Sequence, residues 1–176
     1  MVVSSPLPEP VGKTFHRRKA ILDALKSQLQ AIDGANGYNY EISSTSVLTS
    51  HTEAINFADR PMILIKQGQE TVEDLANGAM DRTLEVILET WLLIDSTANA
   101  QISEILNAWS FDLEATILKD RTLGGTALDC NIVSSESYSD VERLPDAGLL
   151  LELSIRYRTS ELNPSSASPG ASSPVS

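Results

Sequence analysis

A chain of 176 residues, 41% hydrophobic and 21% charged, has the composition of one globular domain long enough to bury a substantial core, which excludes disorder of the whole. Thirteen Lys and Arg against 24 Asp and Glu leave a net charge of −11. Such a surface repels phosphate and excludes sequence-reading of nucleic acid, though not an acidic wall past which nucleic acid slides. Cys130 is the single cysteine, so no internal disulfide forms, and it reads as a small buried apolar residue. No apolar run approaches the roughly 20 residues that span a membrane, and the N-terminus lacks the pattern of a signal peptide. The expectation is a soluble intracellular protein.

In chain order, residues 1–13 read as an extended arm. Pro6, Pro8 and Pro10 alternate with other residues and favour extended backbone. The arm is either a loose terminus or a segment that lies on a neighbouring subunit. Thr14 caps a predicted helix running to about Ile32, with Ile21, Leu22, Leu25, Leu29 and Ile32 as its apolar stripe and Gly34 and Gly37 closing it. Its first turns hold Lys13, His16, Arg17, Arg18 and Lys19, where the helix dipole disfavours cations. Lys13, Arg17, Arg18 and Lys19 are either a solvated face or a patch that docks an acidic partner. His16 and His51 have no metal-ligand spacing to acids or to Cys130, so no metal site is expected.

Tyr38–Leu48 contains two short runs of strand-like composition, followed by an irregular stretch from His51 to Arg60. Pro61 opens a short strong strand, Met62 to Lys66, ending at Gly68. Gln69–Asp81 is polar and acidic, with an Asn77-Gly78 turn signal, and reads as a solvated hairpin loop. Its acids, Glu70, Glu73, Asp74 and Asp81, carry neither a calcium-loop pattern nor a spacing that demands acid–base chemistry.

From Arg82 to Ile94 the sequence alternates, with Leu84, Val86, Leu88, Leu92 and Ile94 on one face and Thr83, Glu85, Ile87, Glu89 and Trp91 on the other, which predicts a strand. Asp95, Ser96 and Thr97 supply N-caps for a helix over Ala98–Lys119, whose stripe is Ile102, Ile105, Leu106, Trp109, Leu113 and Ile117. At about 1.5 Å per residue it spans roughly 33 Å. Gly124-Gly125 ends it, because glycine tolerates left-handed backbone. Leu128, Cys130 and Ile132 alternate in a strand that continues weakly through Tyr138, and Pro145-Asp146 marks a turn. In the last strand Leu149, Leu151, Leu153, Ile155 and Tyr157 face one way. Leu150, Glu152, Ser154, Arg156 and Arg158 face the other, as cross-strand charge pairs or as a subunit interface. Residues 161–176, rich in Ser and Pro, are expected to be disordered.

These elements add up to an α+β fold over residues 14–160: a mainly antiparallel sheet of four to five strands with two main helices packed on it. The sequence has no phosphate-binding glycine loop, no nucleophile elbow and no paired-histidine zinc motif, so neither an enzyme nor a cofactor is expected.

Three phrases, in order, resemble the tail terminator (tail completion) proteins of tailed bacteriophages. They are Pro61-Met62-Ile63-Leu64-Ile65-Lys66-Gln67-Gly68-Gln69-Glu70, then the connector Asp120-Arg121-Thr122-Leu123-Gly124-Gly125, then the closing Tyr157-Arg158-Thr159. The resemblance covers roughly Phe15 to Thr159 and leaves out the proline arm and the Ser/Pro tail. It implies a homohexameric ring that caps the head-proximal end of the tail tube, stops tube growth and offers a surface to the neck or connector, with genomic DNA passing through the lumen unbound. The implied location is the virion tail, assembled in the host cytoplasm. On that basis Glu70, Glu73, Asp74 and Asp81 are candidates to face the lumen or the tube, and Lys13, Arg17, Arg18 and Lys19 to meet an acidic neighbouring ring. A neck or head–tail joining protein of the same architecture, a monomeric cellular adaptor and a small hydrolase are the competing readings.

Overall fold

The computed structural model describes residues 17–49, 60–75, 78–93, 102–140 and 146–160. In order these form helix α1 (Arg17–Leu29), the two-residue strand β1 (Val47–Leu48), strands β2 (Met62–Asp74) and β3 (Ala79–Leu93), helix α2 (Ile102–Lys119), and strands β4 (Asp129–Asp140) and β5 (Asp146–Ser160). One five-stranded sheet runs β1-β2-β3-β5-β4. Among the described residues β1–β2 is parallel and the three other pairings are antiparallel. The class is α+β, as the pattern of elements predicts.

Period-two alternation decides which sheet face is covered. Leu84, Val86 and Leu88 lie opposite Ile155, Leu153 and Leu151. Ile63 and Ile65 join them from β2, opposite Thr90 and Leu88. Onto this face pack Ile21, Leu25 and Leu29 of α1 and Trp109, Leu113 and Ile117 of α2, all fully buried. Cys130 is buried in the same cluster, and burial pushes its thiol up to about 12, so it stays protonated and unreactive at neutral pH.

Several expectations are corrected. α1 ends at Leu29 rather than Ile32; Ile32 is buried beyond its end, where Asp33 caps a short 3-10 turn and Gly37 takes left-handed backbone (φ 87°). Tyr38–Ile42 is not a strand: the Asn39 and Tyr40 amides donate to the Asp112 carboxylate instead of to a strand partner. Leu128 precedes β4 and is 47% exposed, so it takes no part in the buried alternation of Cys130. The largest correction is the hairpin. β2 does not stop at Gly68 but passes through a bulge between Gln67 and Glu70 and continues to Asp74, paired with β3 as far as Met80. Glu70, Glu73 and Asp74 therefore stand on β2 and Asp81 on β3, none of them in a loop. The polar composition that suggests a loop belongs to a ribbon solvated where it leaves the core.

Gly124 and Gly125 have φ of 66° and 78°, as expected, but they lie beyond the helix end, and Leu123 before them is also left-handed (φ 50°) while fully buried. The exposed Asp120 carboxylate holds this turn by accepting from the Thr122 hydroxyl (2.6 Å), the Gly124 amide (2.8 Å) and the Thr122 amide (3.0 Å). Those bonds favour its charged form and lower its pKa. Lys13, Thr14, His16, His51, the 95–97 caps, the arm and the tail lie outside the described residues.

Candidate interaction surfaces

Strand pairing sorts the ribbon's side chains onto two faces, each with an acid held by arginine. On the helix side, Glu70 lies opposite Leu84, and Arg82 opposite both Val72 and Tyr157. The Glu70 side chain is only 7% exposed. It accepts from Arg18 Nε (2.8 Å), from Arg18 Nη2, from Arg82 Nη1 (2.9 Å) and from the Tyr157 hydroxyl. Burial alone would raise its pKa, but the hydrogen bonds from Arg18 and Tyr157, the charge of Arg18 and the bond from Arg82 outweigh it and hold the carboxyl below its ordinary value of 4.5. The same contacts raise Arg18, while burial and the Glu70 bond raise Tyr157.

On the open face Asp81 lies opposite Arg158 and accepts from its Nε (2.6 Å) and Nη2 (3.0 Å), with Arg156 at 3.9 Å. These bonds hold Asp81 low. Cross-strand pairing is thus the role of Arg156 and Arg158. Glu152, on the same face, accepts from the Ser134 hydroxyl (2.9 Å).

The Glu70 node predicts a pH dependence. A carboxyl whose folded pKa lies below 4.5 contributes stability that is fully present above that value and is lost as pH falls through the folded value. Glu70→Gln is expected to cost about 2–3 kcal/mol at pH 7, less than a fully buried pair because Arg18 is half exposed. It should also flatten the decline in thermal midpoint below pH 4.5. A variant whose acid profile parallels the parent's would remove Glu70 as the titrating group.

The basic residues at the start of α1 divide. Arg18 is committed to Glu70, Arg17 Nη2 donates to the Gly125 carbonyl at 3.1 Å, and Lys19 pairs with Asp23 one turn on at 2.6 Å. Two of the docking candidates thus tie α1 to the ribbon and to the glycine turn, and Lys19 alone of the three keeps its ammonium at an exposed surface pair. Of the acids, Glu73 and Asp74 stay exposed.

The sheet face away from the helices is covered at the start of β2, where Met62 and Leu64 are buried, and is more open along β3, β5 and β4. Two shallow depressions on it share Ile87 and Glu152, with Val133 and Leu150 as further apolar lining. Lys66 pairs with Glu89 here, and Arg121 with Asp129 at the β4 end. Burial alone would raise Asp129, but its bonds from Asn131 and Arg121 lower it. Among the described residues no group of three His, Cys, Asp or Glu converges as metal ligands, and no helix is long and apolar enough to cross a membrane.

One buried acid was not singled out in the sequence. Asp112 is fully buried on α2 and accepts from Asn39 N (2.8 Å), Asn39 Nδ2 (2.8 Å) and Tyr40 N (2.9 Å). The signal was present: Asp112 shares the helical phase of Trp109, Leu113 and Thr116, so a carboxylate on the buried stripe implies an amide-rich partner. The chain matches no protein-family model, and no curated protein is significantly similar to it.

Proposed function

We propose that this chain is a structural protein of a tailed bacteriophage that closes into a ring on the head-proximal end of the tail tube, ends tube growth and docks the tail to the head or neck. The observation that carries the proposal is order. The Pro61 strand phrase, the Asp120–Gly125 connector after a long helix and the Tyr157-Arg158-Thr159 ending fall in sequence along a single α+β domain that begins with a helix. The open sheet face and the outer strand β4 supply surfaces that association can cover.

In this role the protein acts by shape and charge. Capping requires a ring face that tube subunits recognise and an opposite face that they do not, so polymerisation stops for want of a matching surface. A net charge of −11 suits a ring through which DNA passes, because like charges repel across a Debye length of about 8 Å. Glu73 and Asp74 at the ribbon end are the acids free to face that path, whereas Glu70 and Asp81 are neutralised by arginine. Reversing both to lysine is expected to slow DNA delivery without blocking ring assembly; full infectivity of such particles would count against a lumenal position. For docking, Lys13 and Lys19 replace the full basic cluster as the pair whose removal should weaken head–tail joining.

The decisive measurement is solution mass by light scattering, with negative-stain images. Six copies of 19.1 kDa make about 115 kDa. Ring particles of that mass that bind isolated tube ends support the proposal, rings that bind only neck protein favour the head–tail joining reading, and a monomer that binds neither overturns it.

A further inference from the structure

Among the described residues β4 is the outer strand of the sheet, and its middle is exposed. Val133, Ser134, Ser135, Glu136 and Ser137 are all exposed, Val133 by 63%. Ser135 and Ser137 lie opposite Leu151 and Leu149, so they belong to the helix side, yet α2 does not cover them. Between strand and helix runs a groove of about 520 Å³, with Ser103, Asn107 and Ser110 of α2 on one wall, Ser135 and Ser137 on the other and Leu149 in its floor. Its described lining offers hydroxyls, an amide and apolar surface but no ionised group. Beside it, alternate residues of β4 point their N–H and C=O groups away from β5. A neutral groove between a helix and a strand edge that has no partner strand among the described residues suits an extended peptide as an added strand: backbone bonds supply affinity and alternate side chains enter the groove.

The chain's own N-terminal segment has the covalent pattern for such a strand. In an added strand, residues of one parity turn their N–H groups to the host and those of the other parity turn them away. Pro6, Pro8 and Pro10 all share one parity, so the three missing N–H groups fall on one edge, while Leu7, Glu9 and Val11 keep theirs for the other. The prolines also preset extended backbone, which lowers the ordering cost, and an outward proline edge stops a further strand from adding. Residues 2–11 carry one charged side chain, Glu9, in keeping with a neutral groove.

We propose that residues 2–11 of a neighbouring copy add to the free edge of β4 and fill the groove between β4 and α2. Each chain's own Arg17 is held at Gly125, and the six residues from Arg17 to Val11 reach about 20 Å when extended, so the assignment to a neighbour is decided by the crosslink below. The neighbour rests on the ring reading; recognition of the segment by the groove does not.

Two experiments on the full chain test this. Amide hydrogen exchange over residues 133–137 is compared between the parent and the double variant Leu7→Pro/Glu9→Pro, which removes N–H groups of the host-facing parity. Exchange there is expected to accelerate at least tenfold, with β3 unchanged; equal exchange overturns the proposal. Next, Leu7→Cys is combined with Ser135→Cys and oxidised, the native Cys130 being buried and protonated. A disulfide joining two copies supports the neighbour, a disulfide within one chain overturns that assignment, and no disulfide overturns the site. The mass of the proline variant separates this idea from the ring: ring-sized particles with unaltered exchange at 133–137 leave the ring standing and remove the arm.

Discussion

Gly148→Ala is expected to lower the thermal midpoint by on the order of 10 °C, the consequence of about 3–4 kcal/mol in a chain of this length. A Cβ on Gly148 would stand 1.8 Å from the Thr90 carbonyl oxygen and 2.5 Å from the Tyr138 hydroxyl. Neither can withdraw cheaply. Regular β3–β5 pairing lapses between Glu89 opposite Leu150 and Leu92 opposite Ala147. In the gap the Thr90 hydroxyl accepts from the Leu149 amide (2.9 Å) and donates to the Leu149 carbonyl (3.2 Å), standing in for the missing ladder. Tyr138, opposite Gly148 on β4, passes over it to donate to the Thr90 carbonyl at 2.6 Å. Trp109 Nε1 of α2 donates to the same Thr90 hydroxyl at 3.0 Å, which fixes the helix on the sheet. A methyl at Gly148 therefore displaces backbone in a sheet that anchors the long helix. Tyr138→Phe separates the two collisions. It should cost only about 1 kcal/mol, and adding Tyr138→Ala to Gly148→Ala should not rescue, because the backbone clash remains. Rescue by the double change would show that the tyrosine alone sets the requirement for glycine.

The second large effect is expected at Asp112. Asp112→Ala leaves the Asn39 and Tyr40 amides and the Asn39 side chain without their shared acceptor and is expected to cost about 3–4 kcal/mol in urea unfolding. Asp112→Asn keeps one acceptor oxygen but turns an N–H₂ toward donors, so it should fall between the parent and the alanine variant. The carboxylate holds residues 39–40 so that Tyr40 meets the Trp109 ring edge-on, centroids 5.3 Å apart and planes at 81°. Its loss should red-shift the emission of Trp109, buried in the parent, even where the fold persists. Unchanged stability and emission would mean that another group replaces the acceptor.

Both sites show why some of this molecule was legible in its sequence and some was not. Burial periodicity is local, and it was legible: Leu84, Val86 and Leu88 in β3, Leu149 to Tyr157 in β5 and Leu106, Trp109, Leu113 and Ile117 in α2 point inward as their spacing implies. The last strand's outward arginines likewise announced cross-strand pairing, and the paired glycines after α2 announced left-handed backbone.

What stayed hidden depends on partners distant in the chain. Tyr38–Ile42 alternates like a strand, but an acid 72 positions away from Tyr40 takes its amide. Glu70 and Asp81 look like solvated loop acids, since local composition cannot reveal that Arg18, Arg82 and Arg158 converge on them. Glycine at 148 gives no local sign that a carbonyl of β3 lies beneath it. The sequence by itself determined the class of fold, the covered face of β3, β5 and the two helices and the acidic balance of the surface, because hydrophobic burial needs only a period and a sign of charge. The tertiary structure alone decided which charges are neutralised by ion pairs, and which strand lies outermost among the described residues, because ion pairs and strand neighbours depend on the three-dimensional meeting of segments that no local pattern encodes.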